Sequence, residues 1–154
     1  TYLIPNDQKK KKIKFNNKII HQSKLINYFI KKYEVEKLSK ETNDLLKKIK
    51  INKEYVFSSK DKILLDSIKS EGAQIKKKYE SLYVSDPNVP TDLQVLINNN
   101  EIGMILLRLV EIIGEDKLET LGTEDLYFIT TVLNQTNLDI IRDKILIKIL
   151  PERA

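Results

Sequence analysis

Apolar side chains recur every three to four positions along most of this 154-residue chain, most densely between Thr91 and Leu150. That period matches one face of an α-helix and not the two-residue alternation of a strand. Ile102, Ile105, Leu106, Leu109, Val110 and Ile113 make one wide stripe. Leu126, Ile129, Val132 and Leu133 make a second, and Leu138, Ile141, Ile145, Leu146 and Ile149 a third. Gly114 and Pro151 end the first and last of these helices. The links between helices are only a few residues long, so consecutive helices are predicted to be antiparallel neighbours. The expected fold class is all-α: antiparallel helical hairpins, α-solenoid-like or an irregular helical bundle. Met104–Val110 slides onto Leu126–Val132 at an offset of 22, but any two amphipathic helices align that well, so both architectures stay open.

The lysine-rich part before this region reads less cleanly. Ser23 opens a first helix with the stripe Leu25, Ile26, Phe29, Ile30 and Tyr33. Ser39 is the expected N-cap of a second, whose face is Leu45, Leu46 and Ile49. Ser58-Ser59 precedes Ile63, Leu64, Leu65 and Ile68, and Gly72 follows as a C′ residue. Residues 73–84 read as a short helix or a connector. Over residues 11–21 a weak alternation about Asn16-Asn17 fits a hairpin or an irregular arm. Further on, Thr91-Asp92-Leu93-Gln94 matches a capping box, and Thr123 and Asn137 are expected caps. Gly103, inside a helix, is expected to mark a close helix–helix contact.

A break at Asp86-Pro87-Asn88-Val89-Pro90 separates the two regions. Before Val89 lie 21 of the 27 Lys+Arg and 11 of the 22 Asp+Glu, a net of +10; after it the net is −5. Three segments follow: 1–22 as a flexible or irregular basic arm, 23–86 as lysine-rich helical hairpins, and 91–151 as compact apolar hairpins. They are read as one continuous helical domain, with 91–151 supplying the core. The excess of Ile (22), Lys (24) and Asn (12) over Ala, Gly, Pro and Arg is the skew of an AT-rich genome. Lys outnumbers Arg 24 to 3, where a phosphate-reading protein more often keeps the bidentate fork of Arg. Part of the positive charge is therefore compositional drift on solvated faces.

There is no cysteine, which removes disulfides, thiolate zinc sites and thiol nucleophiles. No apolar run reaches the about 20 residues a membrane span needs; the longest, Ile102 to Ile113, is broken by Arg108 and Glu111. The opening Thr1-Tyr2-Leu3-Ile4-Pro5 lacks a signal-peptide pattern and reads as the start of a fragment or processed product.

Chemistry-bearing patterns are sparse. His21 is the only histidine, beside Gln22 and Ser23 before a helix, where a surface or capping role is expected. Glu115, Asp116 and Glu119, and also Glu124 and Asp125, could in principle hold a divalent cation or exchange protons. Their place at helix N-termini is that of residues complementing the helix dipole. No EF-hand or phosphate loop is present, and no cofactor, metal ligand or catalytic residue is assigned. Lysines interleaved with aromatics make a polyanion contact the one candidate site: Lys9, Lys10, Lys11, Lys12, Lys31, Lys32, Lys76, Lys77 and Lys78. Nucleic acid or an anionic membrane surface would be its ligand.

Two stretches carry a resemblance. One is Ile63-Leu64-Leu65-Asp66-Ser67-Ile68-Lys69-Ser70-Glu71-Gly72 with Lys77-Lys78-Tyr79. The other runs from Val89 to Pro151, with Leu133-Asn134, Leu138-Asp139, Arg142 and Leu150-Pro151. Together they resemble the C-terminal region of long, uncharacterised helical-repeat proteins of alphaproteobacteria. There a helix ending Leu-Asn is followed by one opening Leu-Asp-x-x-Arg. The resemblance implies α-solenoid architecture, a bacterial source and a scaffold or interaction role in the cell envelope. It transfers packing and capping residues and no functional residue. The expected function is thus a non-enzymatic scaffold or protein-interaction segment, with polyanion binding by the lysine-rich half as the alternative.

Overall fold

A computed structural model describes residues 20, 23–83 and 89–150 of the chain. The expectations for His21, Lys9 to Lys12, the hairpin over 11–21 and the break at Asp86 to Asn88 lie outside the described residues. Within them the protein is all-α and no strand is present.

A 3-10 turn, Lys24–Ile26, runs directly into α1 (Asn27–Ile30). Ser23 caps it: its Oγ accepts from the Leu25 amide at 3.2 Å. Because a 3-10 turn advances three residues per turn, the expected stripe rotates. Leu25, Ile26, Tyr28 and Phe29 are buried, whereas Ile30 is exposed. α2 spans Val35–Ile51. It starts four residues before the expected cap Ser39, with Glu36 in its first turn beside the positive end of the helix dipole. α3, Ser59–Ser70, opens on a complete capping box. Ser58 Oγ accepts from the Asp61 amide at 3.1 Å, and Asp61 Oδ2 accepts from the Ser58 amide at 3.0 Å. Gly72 ends it as expected, at φ +101°, a conformation that a Cβ would strain.

A 3-10 helix, Lys77–Leu82, follows. Then come α4 (Thr91–Asn98), α5 (Ile102–Ile113), a 3-10 turn at Leu118–Thr120, α6 (Thr123–Gln135) and α7 (Asp139–Ile149). The expected capping box at Thr91 does not form: the helix begins at Thr91 itself, behind Pro90, with no side-chain cap. Thr123 is likewise the first helical residue and not a cap. Asn137 sits one residue before the N-cap Leu138, at φ +55°, where it turns the chain between α6 and α7. Short polar side chains tolerate that left-handed conformation.

The central helix comes from the basic half. Asp61, Ile63, Leu64, Leu65, Ser67 and Ile68 of α3 are buried, while Ser59, Lys69 and Ser70 are exposed, so the helix turns one wide face into the core. Its main partner is α6, which buries Leu126, Ile129, Val132 and Leu133 as predicted. α1 packs on α7, α4 on α5, and α6 on α7. One apolar core runs from Ile20 and Leu25 to Leu150. Residues from both regions therefore contribute to one core, in which α3 of the basic half packs on α6. In an open solenoid each repeat touches only its sequence neighbours. The pairing of α1 with α7 brings the first and last described helices together, which is a bundle contact.

Besides Ile30, two apolar positions are reversed from expectation. Val110 of α5 and Ile141 of α7 face outward, while Arg142 and Asp143 face inward. Gly103 has no atom within 4 Å of where its Cβ would stand, so it makes no close helix contact among the described residues.

Candidate functional site

The inward turn of α7 creates a polar centre where the ends of α1, α3, α6 and α7 meet. Arg142 is fully buried. Its Nη2 donates to Glu71 Oε1 and, at 2.9 Å, to Asp143 Oδ1; its Nε donates to the same Asp143 oxygen at 3.1 Å. Its Nη1 donates to Asp139 Oδ1 at 3.0 Å and Asn134 Oδ1 at 3.3 Å. Ser70 Oγ lies 3.5 Å from Nη1, at the outer limit of hydrogen bonding. Phe29 covers the guanidinium, with its ring centroid 5.8 Å away.

Local sequence explains the placement. Glu71 is the C-cap of α3, a position where the helix dipole is negative and a carboxylate needs cations nearby. Arg142 and Lys32 supply them. Lys32, just after α1, pairs with Glu71 Oε1 and reaches Asp143 Oδ2 at 2.7 Å. Its ammonium also stands 5.0 Å from the Tyr28 ring centroid and 5.7 Å from that of Phe29. Tyr28 completes the shell by donating to Glu71 Oε2 at 3.3 Å.

The charges set each other's protonation. Burial would push the Glu71 carboxyl up, but the Lys32 hydrogen bond and the charges of Arg142 and Lys32 outweigh it and hold the carboxyl below its ordinary range. Burial would pull Lys32 down, but its hydrogen bonds to Asp143 and Glu71 raise it. Tyr28 is raised by burial and by the Glu71 charge. Glu71 is thus a fully engaged carboxylate, hydrogen-bonded through both oxygens. A general base needs a pKa near neutrality, and this group is held below the ordinary carboxyl range. The cluster acts as a clamp joining four helix ends.

A second polar anchor lies on the far side of α3. Tyr55 OH accepts from the Ile20 amide at 2.8 Å and donates to the buried capping carboxylate Asp61, Oδ2, at 2.9 Å. A third holds the link 73–76 against α2. Ser39 Oγ accepts from the Gln74 amide at 2.9 Å. Asn43 donates to the Gln74 carbonyl at 2.7 Å and accepts from the Lys76 amide at 2.9 Å. Two side chains one turn apart thereby satisfy an extended backbone much as a strand edge would.

Among the described residues the predicted polyanion lysines fall in two places, Lys31 and Lys32 at the end of α1 and Lys76 to Lys78 beside α2, and Lys32 pairs with Glu71 and Asp143 in the ionic clamp. Lys31 is exposed at the end of α1. Lys76, Lys77 and Lys78 are exposed beside the other end of α2, where Lys50 Nζ donates to the Lys78 carbonyl at 3.2 Å. Tyr79 is buried beneath Lys50 and Lys78 and offers no open ring. Glu124 and Asp125 lie in the first turn of α6, as expected for the dipole. Glu119 pairs with Lys148 at 3.5 Å, and its own backbone hydrogen bond lowers its carboxyl ahead of that lysine. Among the described residues no group of three metal-ligating side chains gathers.

The sequence context of Arg142 and Glu71 reads as packing and capping. One signal was available. Arg108, Arg142 and Arg153 are the only arginines beside 24 lysines. An arginine kept in so lysine-biased a chain marks a place where several hydrogen bonds from one planar group are needed. No family model, curated protein or solved structure matches the chain.

Proposed function

We propose that the chain is a non-enzymatic helical scaffold or protein-interaction segment. The observation that carries this reading is the outer face of α5. Met104, Leu107 and Val110 are 50%, 60% and 62% exposed, while Ile105 and Leu109 on the opposite side are buried. At 100° per residue Leu107 points away from the core, with Gly103, Met104, Val110 and the exposed carboxylate Glu111 around it. The helix is apolar on both sides, and an outward apolar stripe is the mark of an association surface. The saturated hydrogen bonding of the Glu71–Arg142 centre supports a structural role for the buried charges. Arg108, which pairs with Asp92 at 3.0 Å and Glu111 at 3.4 Å, gives the stripe a polar rim. This is the usual anatomy of a protein–protein patch.

Site-specific photocrosslinking tests it. A photoreactive residue at Leu107 is expected to give discrete protein adducts that the same residue at exposed Lys40 does not. Equal adduct patterns at both positions, or none at Leu107, would overturn the reading.

A further inference from the structure

We propose that the C-terminal end of α2 and the link after it form a docking site for an anionic lipid surface, a role beyond the protein-interaction reading of α5. Ile51, the last residue of α2, is 75% exposed, and Val56, in the following link, is 78% exposed. They are the two most exposed large apolar side chains described in the lysine-rich half. Lys47 and Lys48 lie one turn before Ile51 on the same outward face of the helix. Lys50 reaches across to the Lys78 carbonyl, which draws the Lys76–Lys78 run alongside.

These lysines differ from Lys24, Lys32 and Lys148, each of which meets a carboxylate. Among the described residues Lys47, Lys48, Lys76 and Lys77 form no ion pair. The exposed acids close to them in sequence are Asp44, Glu54 and Glu80, so positive charge dominates. Unpaired like charges beside bare aliphatic side chains are costly in isolation and complementary to a bilayer of anionic headgroups. The aliphatic groups enter the headgroup–acyl boundary and the ammonium groups stay among the phosphates.

The same chemistry argues against nucleic acid as the ligand. Single strands are held by bases stacking on open aromatic rings. Of the rings of this region, Tyr55, Tyr79 and Tyr83 are buried and Phe57 is half-buried against Tyr55 and Tyr83, while the most exposed apolar side chains are aliphatic.

The test is co-sedimentation of the 154-residue chain with vesicles of phosphatidylglycerol in phosphatidylcholine and with pure phosphatidylcholine, at low and high salt. Binding is expected only to the anionic vesicles, weakening as salt rises. Ile51→Ser with Val56→Ser is expected to weaken it by about tenfold or more, from the loss of apolar insertion. Both side chains are exposed, so the unfolding midpoint should stay unchanged. Replacing Lys47, Lys48 and Lys50 by Gln should cost about fivefold per lysine at low salt. Leu107→Ser should bind like the parent chain. Three outcomes would overturn the proposal: no binding to anionic vesicles, binding that survives Ile51→Ser with Val56→Ser, or loss of binding on Leu107→Ser. A duplex or single-stranded DNA that binds more tightly than the vesicles, through the same lysines and without regard to Ile51 and Val56, would reassign the patch to nucleic acid.

Discussion

Arg142 Nη2 donates to Glu71 Oε1 across 71 residues of chain, and that one ion pair ties the end of the central helix α3 to the start of α7. Arg142 has no solvent exposure, and the Glu71 side chain has little. The pair closes the bundle by linking a helix of the basic half to the last described helix of the apolar half.

Removing one partner should therefore be severe. Arg142→Leu would leave Glu71 and Asp143 buried with Lys32 as their main counter-charge, and a loss of about 3–5 kcal/mol is expected. Arg142→Lys should recover little, because an ammonium cannot reproduce contacts from Nε, Nη1 and Nη2 at once. Glu71→Gln in the Arg142→Leu background should cost less than in the parent chain, since one uncompensated charge is then removed. Urea unfolding of the parent and the four variants reads all of this, and a cost below about 1 kcal/mol for Arg142→Leu would show that the clamp is dispensable.

The clamp also predicts the shape of the pH–stability curve. Glu71 is held below its unfolded value, so its contribution is present above the unfolded carboxyl range and is lost as pH falls through the lower folded value. Lys32 is held above its unfolded value; its contribution is complete below that value and is lost as pH rises through the higher folded one. Stability is expected to hold between those limits, and to fall on the acid side as the carboxyl of Glu71 takes up a proton. Glu71→Gln should flatten the acid limb. An acid limb unchanged by that substitution would separate Glu71 from acid unfolding.

At the alkaline end Tyr28, Tyr33, Tyr55 and Tyr83 should all titrate late. Burial, with the Glu41 charge, pushes Tyr33 up to about 12, and burial, with Asp66 and Glu80, does the same for Tyr83. Their folded values exceed the ordinary value of 10.0, so each favours the folded state below pH 10 and loses that contribution as pH rises toward 12. Ultraviolet titration of the folded chain should show tyrosines ionising late, and Tyr33→Phe and Tyr83→Phe should each remove one late step. Titration of these residues near 10 would contradict the burial described here.

Tyr55→Phe deletes a hydroxyl that both accepts from Ile20 and donates to Asp61. The buried Asp61 oxygen keeps its bond from the Ser58 amide, so the expected cost is about 1–3 kcal/mol and not the loss of the helix cap. Amide exchange at Ile20 should accelerate by far more than exchange within α6. Uniform acceleration would mean that the hydroxyl serves global stability and not this local anchor.

Asn43→Ala should free the link 73–76 from α2 by removing a donor to the Gln74 carbonyl and an acceptor for the Lys76 amide. A loss of about 1–2 kcal/mol is expected, with faster amide exchange at Lys76. Ser39→Ala should act in the same way on the Gln74 amide. Unchanged exchange at these two amides would remove the side-chain anchoring from the account.

Helix existence was legible from periodicity, and so were the stops at Gly72 and Gly114, which occupy left-handed backbone where other residues are strained. Helix starts were less legible. Ser39, Thr91, Thr123 and Asn137 look like caps, but whether a hydroxyl or amide caps a helix depends on where the first turn falls. That shifts by residues at little local cost. The true capping box, Ser58 with Asp61, carries a shorter acid at the third position than the usual Glu or Gln.

The sequence by itself determined that the chain is helical, because the spacing of Ile, Leu and Val is a property of local geometry. The tertiary structure alone decided which helices meet, and so which charges are buried. Arg142 and Asp143 look like surface residues between Ile141 and Lys144, and only the packing of α7 against α1 and α6 turns them inward. The pairing of Glu71 with Arg142 follows from that packing. Long-range electrostatic partners are set by the docking of whole helices and leave no periodic trace in the chain.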